Sequence, residues 1–209
     1  MCSIPRIIVA GTHSGCGKTT LASGLMAALT ARGLAVQPFK VGPDFIDPTH
    51  HSAICGRTSR NLDPFMMGEA SVRETFVRTS IGADVAVVEG AMGLYDGLEG
   101  SDTASTAHVA KILDAPVILV VDAGGASRSV HAMALGYAGF DPGVRVAGVI
   151  LNQIESARHR AMIEETKSLP IYGGVPRRKD LAVESRHLGL AMAAEDDAMA
   201  QFGAVMEET

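Results

Sequence analysis

The fold of this chain is decided by the stretch Arg6-Ile7-Ile8-Val9-Ala10-Gly11-Thr12-His13-Ser14-Gly15-Cys16-Gly17-Lys18-Thr19-Thr20. A short apolar run leads into a glycine-rich loop, and leucines at positions 21, 25 and 29 follow the loop at helical spacing. A loop placed between a strand and a helix in this way binds phosphate. Its glycines let backbone N–H groups converge, and the helix adds the positive end of its dipole. The sequence therefore predicts an ATP-binding loop.

The residues expected around the nucleotide are Gly11, Thr12, Ser14, Gly15, Cys16, Gly17, Lys18, Thr19 and Thr20. Within this set we expect Lys18 to reach the β- and γ-phosphates and the Thr19 hydroxyl to hold magnesium. The strict pattern G-x-x-x-x-G-K-[ST] is missed at one position, because Thr12 stands where the first glycine belongs and Gly11 precedes it.

Outside the loop, short apolar runs alternate with helical patterns. Further strands are predicted at 36–41, 85–88, 116–121, 146–151 and 171–175, and helices at 66–80, 104–113, 127–138 and 156–168. This alternation indicates an α/β fold of the P-loop NTPase type, with a mostly parallel sheet and helices on both faces. Residues 41–65 contain three prolines and two adjacent histidines, and we predict a long structured loop there.

Polar side chains stand where the predicted strands end, which is the edge at which parallel sheets bind ligands. Asp44 and Asp47 follow the second strand, and carboxylates of this kind suit magnesium; the alternative is that they cap turns beside the prolines. Glu89 ends the third strand and is the expected second magnesium anchor, against the alternative of a solvated strand end. Asp122 is expected to cap the next helix.

The far end of the nucleotide is assigned to residues after the last two strands. We expect the Asn152 amide to contact the adenine edge, because an amide carries a donor and an acceptor. Pro176 and Arg177 are expected to form a wall beside the base.

Composition excludes several classes of protein. A net charge of −5 without a basic cluster argues against a nucleic-acid or membrane-surface partner. Three cysteines fit neither a disulfide framework nor a zinc site, so a reducing cytoplasm is expected. The longest apolar run is far too short to cross a membrane, and the histidines show no metal-ligand spacing.

These motifs, taken in order, resemble the cobyrinic acid a,c-diamide synthase family. The matching runs are Gly11 to Thr20, Lys40 to Pro48, Gly56 to Asp63, Glu89 to Gly97, Ser105 to Ala107 and Arg186 to Leu190. The resemblance implies a dethiobiotin synthetase-like ATP-binding domain that phosphorylates the a and c carboxylates of a corrinoid. Ammonia then displaces the phosphate to leave an amide. In the family, ammonia comes from glutamine through a C-terminal glutaminase domain or a separate subunit.

By matching positions, the resemblance places magnesium on Thr19, Asp47 and Glu89. It assigns Lys18 and Lys40 to neutralising the transferred phosphoryl group. Further expected substrate-side residues are Asp44, Asp96, Ser105 and Thr106, with hydroxyls of the last two directed at substrate carboxylates. Because magnesium takes one or two protein carboxylates, Asp44 is expected to be free to accept a proton from the attacking ammonia.

The domain expectation is a synthetase domain over residues 1–192 and an acidic tail or linker over 193–209, where the glutaminase domain of the family should begin. Three alternatives stay open. The substrate is nickel-sirohydrochlorin rather than cobyrinic acid, or a smaller molecule in a dethiobiotin-type synthetase, or the protein is a ParA- or MinD-like switch ATPase. The loop lacks the early lysine of switch ATPases, which counts against them. The sequence leaves open homodimerisation, the order of amidation and whether the chain is a natural short form.

Overall fold

The computed structural model describes residues 4–177, which form seven strands and six helices. The strands are β1 (Arg6–Gly11), β2 (Val36–Val41), β3 (Arg60–Leu62), β4 (Val85–Glu89), β5 (Val117–Asp122), β6 (Val146–Ile154) and β7 (Ile171–Pro176). The helices are α1 (Lys18–Ala31), α2 (Asp47–Cys55), α3 (Pro64–Thr79), α4 (Thr106–Leu113), α5 (Ser129–Phe140) and α6 (Ala157–Glu164).

The seven strands form one sheet in the order β3-β2-β4-β1-β5-β6-β7, and each neighbouring pair is parallel. β1 lies at the centre of this order, so the loop that follows it opens at the middle of the carboxyl edge. Because all the strands run the same way, every loop after a strand opens at that edge. The predicted fold class is confirmed.

The sheet is covered on both faces because successive strand residues point to opposite sides. Val9, Val87 and Val120 lie on one face and pack in a cluster with Leu21 and Met26 of α1. Helix α2 lies on this face as well, through Cys55 at its end.

The other face carries the larger apolar cluster. Phe39 of β2 stacks on Phe76 of α3 with ring centroids 5.0 Å apart. Val130 of α5 and Ile163 of α6 join the same cluster. Burial on both faces explains why the central strands are continuously apolar rather than alternating.

The expectation of one long loop over residues 41–65 is wrong, because that stretch contains α2 and β3. Pro48 stands in the first turn of α2, where an N–H has no intrahelical partner to lose, and Gly56 ends the helix in a left-handed conformation. The proline therefore starts a helix here instead of preventing one. β3 has three residues, too few to show a periodic pattern.

The six predicted strands and the four later helices are present, with ends shifted from the predicted bounds. The acidic segment 193–209 and the run Arg186 to Leu190 lie outside the described residues. Within residues 4–177, no helix combines the length and the apolar character that crossing a bilayer requires.

Candidate active site

The phosphate loop joins β1 to α1 and keeps the helix N-terminus open. Gly17 precedes α1 with φ 97°, a conformation that glycine adopts without strain. A Cβ atom here would lie 2.1 Å from Asn152 Nδ2, so the position has no room for a side chain. No side chain of the described residues caps α1, which leaves the N–H groups of its first turn available to an anion.

The departure from the strict phosphate-loop pattern has a structural reason. A Cβ atom at Gly11 would lie 2.3 Å from Cys16 Sγ, so the close approach of the loop to its own strand occurs at residue 11. Thr12 is held through its backbone: its N–H donates to Val120 O at 3.2 Å, and its carbonyl accepts from the Tyr137 hydroxyl. The backbone of Thr12 is therefore fixed at both its N–H and its carbonyl.

Lys18 lies along the loop in the position expected for a phosphate-binding lysine. Its Nζ donates to His13 O at 3.0 Å, and the residue is almost fully buried. Burial lowers the pKa of Lys18, and the nearby ammonium of Lys40 acts in the same direction. A bound phosphate would favour the charged lysine and offset that cost.

Glu89 ends β4 and is the centre of a buried cluster beside the loop. Its Oε1 accepts from Thr19 Oγ1 at 2.6 Å and from Lys40 Nζ at 2.9 Å. Lys40 also donates to Gly90 O at 3.1 Å. The structure therefore brings together three residues that the sequence analysis assigned to the site from three different segments.

Helix α2 contributes two more side chains to this cluster. Asp47 Oδ2 lies 2.9 Å from Lys40 Nζ, and His51 Nε2 lies 2.8 Å from Glu89 Oε2. The ring of His51 is at ion-pair distance, but it is not aligned for a regular hydrogen bond. The sequence analysis missed His51. Its spacing of four residues from Asp47 would have placed both on one helix face, had the helix been predicted.

The pKa values show how the cluster holds its charges. Burial alone would raise the pKa of Glu89, but Lys40, His51 and Thr19 together lower it to about 2. Burial would lower the pKa of Lys40, whereas its two carboxylate partners raise it. The pKa of Asp47 is raised by burial and by the charge of Glu89, with Lys40 opposing. Glu89 is therefore the carboxylate most firmly held in its charged form.

The oxygen atoms of this cluster fit magnesium. Thr19 and Glu89 supply a hydroxyl and a carboxylate in direct contact beside the phosphate loop. Within residues 4–177, no group of three or more His, Cys, Asp and Glu side chains forms a closed metal cage. A metal ion here would need phosphate oxygens and water to complete its ligands, as magnesium commonly does. The ammonium of Lys40 lies between the carboxylates of Asp47 and Glu89 and contacts both.

Asp44 shapes the start of α2. Its Oδ1 accepts from the N–H groups of Ile46 and Asp47 at 2.9 and 3.1 Å. This is the turn-capping alternative, and it applies to Asp44 rather than to Asp47, whose carboxylate is buried against Lys40. Asp96 is exposed, and its Oδ2 accepts from Gly93 N at 2.9 Å.

The expectation that Ser105 and Thr106 present hydroxyls to substrate needs correction. Both residues are buried. Ser105 caps α4 by accepting from His108 N at 3.0 Å, and Thr106 Oγ1 exchanges hydrogen bonds with the backbone of Ala91. These hydroxyls hold the loop after β4 against α4, because burial requires a partner for each polar atom.

Asn152 and Asp122 also have structural partners. Asn152 Nδ2 donates to Cys16 O at 2.9 Å, which ties β6 to the phosphate loop. This hydrogen bond uses an N–H of the amide group that the sequence analysis assigned to adenine. Asp122 accepts from Gly124 N at 2.8 Å, so it stabilises its own turn and does not cap α5. Pro176 and Arg177 are exposed at the end of β7 on the carboxyl edge.

Comparison with known protein families gives a match over most of the chain. Residues 7–190 match the family described as the CobQ/CobB/MinD/ParA nucleotide binding domain. The matched range begins within β1 and includes the phosphate loop and the residues of the Glu89 cluster.

Curated relatives are similar over nearly all of this chain. The hydrogenobyrinate a,c-diamide synthase of Streptomyces coelicolor is 51% identical over 211 residues, covering 97% of this chain and 43% of the relative. The cobyrinate a,c-diamide synthase of Methanothermobacter thermautotrophicus is 48% identical over 214 residues, covering 97% and 47%. The chain thus spans a little under half the length of these two relatives.

Solved structures share the fold at low sequence identity. The signal recognition particle receptor FtsY from Elizabethkingia anophelis superposes with a TM-score of 0.62 at 20% identity, over 97% of this chain and 66% of that one. The septum site-determining protein MinD from Pyrococcus horikoshii, solved with Mg-ADP, has a TM-score of 0.54 at 17% identity, over 98% and 95%. At these identities the similarity shows a shared fold.

Proposed function

This chain belongs to the CobQ/CobB/MinD/ParA nucleotide binding domain family, and we propose that it performs the ATP-dependent carboxylate activation and amidation of a corrin a,c-diamide synthase. The names of relatives about half identical to it support the corrin substrate. The observation that carries the chemistry is the buried contact of Glu89 with Thr19 and Lys40, directly beside an open phosphate loop.

The proposed reaction has two steps at each carboxylate. A substrate carboxylate oxygen attacks the γ-phosphorus of ATP, which gives an acyl phosphate and releases ADP. Ammonia then attacks the carbonyl carbon; a C–N bond forms, the C–O bond to phosphate breaks, and inorganic phosphate leaves with that oxygen. One proton is lost from the nitrogen. In the first step the protein has to hold the anionic substrate carboxylate against the anionic γ-phosphate. In the second step it has to accept a proton.

Two lysines serve the first step. Lys18 lies along the phosphate loop, and Lys40 lies between Asp47 and Glu89 on the side of the adjacent strand. Fixed positive charges in a site sheltered from water stabilise the transferred phosphoryl group more strongly than they would in bulk solvent. We propose that both residues contact the nucleotide or the transferred group.

The proposed magnesium ligands are the oxygens of Thr19 and Glu89, directly or through water. Asp47, which lies on the other side of Lys40, is the proposed second carboxylate of the magnesium site. Magnesium held by these residues would neutralise part of the charge on the phosphate oxygens. The chain itself prepares this place by keeping Glu89 ionised in the interior, since the pKa of its carboxyl is lowered to about 2.

For the second step we propose Asp44 as the group that receives the proton from the attacking ammonia. Asp44 follows β2 at the carboxyl edge, and Oδ1 already holds the first turn of α2 in place. A carboxylate fixed in this manner keeps its orientation during the reaction. Asp96, exposed on the loop after β4, is the proposed second substrate-side carboxylate.

Exposed apolar side chains on neighbouring loops and at the start of α3 support a large, partly apolar substrate. They follow the carboxyl ends of the adjacent strands β2, β3 and β4, and they are Phe45, Phe65, Met66, Met92 and Leu98. Phe45 is 81% exposed in the segment between Asp44 and Asp47. The faces of a tetrapyrrole are broad and apolar while its side-chain carboxylates are charged, so this edge suits it better than a small acid.

Cobyrinate and hydrogenobyrinate are both proposed substrates, because relatives with each name are about equally similar to the chain. Nickel-sirohydrochlorin has less support, since the relatives described above are named for corrins. A switch ATPase also has less support. The family description names MinD and ParA beside CobQ and CobB, but the MinD structure is 17% identical to this chain and shows the fold alone, whereas the relatives about half identical are named as diamide synthases.

The proposed nitrogen source is ammonia, delivered by a glutaminase domain or subunit. Cys16 and Cys55, the cysteines among residues 4–177, are both buried, and Cys16 lies within the phosphate loop. Neither is placed as a glutaminase nucleophile. Both are free thiols, which supports the proposal of a reducing cytoplasmic setting.

The proposal is tested with purified protein, Mg-ATP and isotope-labelled ammonium, with hydrogenobyrinate, cobyrinate and nickel-sirohydrochlorin in parallel reactions. Mass spectrometry should show two replacements of a carboxyl by a labelled amide on a corrin, with stoichiometric ADP. A parallel reaction with glutamine in place of ammonium should give little product. If the protein binds Mg-ATP but amidates none of the three compounds, the proposed function is wrong.

A further inference from the structure

His51 is a fully buried histidine whose ring faces the carboxylate at the centre of the proposed active site. It lies on α2, four residues after Asp47, and its Nε2 is 2.8 Å from Glu89 Oε2. Within the described residues, neither ring nitrogen has a regular hydrogen-bond partner, and the contact of Nε2 with Glu89 is at ion-pair distance. A polar ring removed from water without full hydrogen bonding costs free energy, so its place against Glu89 requires an explanation.

The two oxygens of Glu89 face different neighbours. Oε1 accepts hydrogen bonds from the Thr19 hydroxyl at 2.6 Å and from the Lys40 ammonium at 2.9 Å. Thr19 lies in α1 directly after the phosphate loop, and Lys40 lies on the adjacent strand β2. Oε2 faces His51 of α2. With one oxygen against the ring, the carboxylate cannot rotate about its last bond without losing contacts on both sides.

We propose that His51 is a positioning residue, which fixes the plane of the Glu89 carboxylate so that Oε1 stays directed at Thr19 and the magnesium position. The inference rests on the proposed role of Glu89 in magnesium binding. Groups behind the direct ligands of a metal set its affinity in this way, because they fix ligand orientation before the metal arrives.

The same contact joins the two sides of the site. Asp47 and His51 lie on one face of α2, where Asp47 meets Lys40 and His51 meets Glu89. Lys40 and Glu89 are themselves partners on adjacent strands. Asp44 and the exposed Phe45 lie just before α2. The four side chains of Lys40, Asp47, His51 and Glu89 therefore link the proposed substrate loop to the carboxylate on the nucleotide side.

The test measures magnesium binding rather than turnover. Nucleotide affinity of the full chain is measured by calorimetry with ADP, over a range of magnesium concentrations and with EDTA. The variants are His51→Leu, His51→Gln and His51→Asn. The amide nitrogen of glutamine reaches the place of Nε2, whereas that of asparagine reaches the place of Nδ1, so this pair separates contact with Glu89 from mere polarity.

His131→Gln is the matched control. His131 is also a buried histidine, but its ring nitrogens contact Ser168 Oγ and Ile163 O, which lie in the α6 and β7 region of the fold. Any general cost of replacing a buried histidine should appear in this variant as lower thermal stability, without a change in the magnesium dependence of ADP binding.

We expect His51→Leu and His51→Asn to raise the half-saturating magnesium concentration by about 10-fold or more, the usual effect of losing a group behind a metal ligand. Affinity in EDTA should stay near the parent value, and His51→Gln should restore most of the magnesium response. Equal magnesium midpoints in parent and variants overturn the inference. If the leucine variant does not fold, equal midpoints for glutamine and asparagine overturn it as well. A parent without any magnesium response removes the proposed metal role together with this inference.

Discussion

Lys40 and Glu89 are register partners on the neighbouring parallel strands β2 and β4, and their side chains meet with 2.9 Å between Nζ and Oε1. Both lie on the sheet face that α1 and α2 cover, where the alternating residues beside them are buried and apolar. The pair is removed from water, so the charge of Glu89 depends on Lys40 for compensation, while Lys40 is compensated by both Glu89 and Asp47. This buried pair anchors the site to the sheet and not to a loop.

We expect Glu89→Gln to raise the magnesium concentration needed for ATP binding and to lower stability. The glutamine keeps the shape of the side chain but removes one hard anionic oxygen, and it leaves Lys40 with Asp47 as its remaining carboxylate. The loss in free energy of unfolding should be about 3 kcal/mol, the low end for a broken buried pair, because Asp47 remains. Urea denaturation in EDTA and a magnesium titration measure the two effects. Asp47→Asn is the companion variant, and overlapping titrations for either one would exclude that residue as a ligand.

Lys18→Ala should abolish phosphoryl transfer and weaken ATP binding. The ammonium of Lys18 lies along the phosphate loop, and loss of a fixed charge that stabilises the transition state typically lowers kcat by about 10²–10³-fold. The control is Lys111→Ala, which removes a lysine bound to Asp102 and Asp141 away from the loop. ADP release and calorimetry with ATP measure the result. Normal turnover in Lys18→Ala would be incompatible with the proposed phosphate loop.

Asp44 is tested with two variants because it has a structural role and a proposed chemical one. Asp44→Asn keeps an acceptor for the N–H groups of Ile46 and Asp47, so stability and ATP affinity should stay close to the parent while amide formation falls. Asp44→Ala loses the acceptor and should also cost about 1 kcal/mol of stability. The readouts are product yield by mass spectrometry, calorimetry with ATP and thermal melting. Full amidation by Asp44→Asn would restrict this residue to capping α2.

Phe45→Ala should weaken substrate binding without changing nucleotide binding. Phe45 is exposed beside Asp44, where the face of a corrin would cover it, and the lost apolar contact should raise KM for the corrin by about 10-fold. Ile81→Ala is the control, since Ile81 is exposed to a similar degree but precedes β4 at the opposite edge of the sheet. Steady-state kinetics with saturating ATP measure both. An equal effect of the two substitutions would remove Phe45 from the proposed substrate surface.

Cys55 provides a prediction of pH dependence. Burial raises the pKa of the Cys55 thiol to about 11, with Thr30 and Arg57 opposing. The unfolded thiol ionises near pH 8.5, so the unfolded state loses a proton first as pH rises, and the folded state is progressively destabilised up to the folded pKa. At one pKa unit for about 1.4 kcal/mol, the contribution that is lost is about 3 kcal/mol.

The measurement compares urea denaturation of the parent and of Cys55→Ala at about pH 8 and about pH 10. The parent should lose more stability than the variant over this interval, because the variant lacks the titrating thiol. Parallel losses in both proteins would show that the Cys55 thiol does not contribute.

Much of the fold was predictable from short stretches of sequence. Local patterns predicted the phosphate loop, the strands that the apolar runs form and the parallel sheet, and each of these is present. Helix α2 and strand β3 were not predictable in the same way. Pro48 and the two histidines obscure the pattern of α2, and three residues of β3 show no pattern at all.

The residues of the candidate site also fall into those that sequence patterns indicate and those whose surroundings only the structure shows. Thr19, Lys40, Asp47 and Glu89 could be proposed from sequence because each stands in the glycine-rich loop or at or after the end of a strand. The structure brings their side chains together, and their roles stay predictions. The hydroxyls of Ser105 and Thr106 were misplaced, since sequence does not tell which side of a loop faces the interior.

The sequence by itself determined that a phosphate loop follows the first strand of a mostly parallel sheet and that carboxylates stand after other strands, because glycine conformation and apolar periodicity are local properties. The strand order that puts this loop at the centre of the sheet came from the structure. The tertiary structure alone decided that His51 meets Glu89, that Lys40 separates Asp47 from Glu89, and that Asn152 holds the phosphate loop. Such contacts depend on strand register and on how α2 is rotated against the sheet. Both are set by packing between segments that are distant in the chain, so no local pattern contains them.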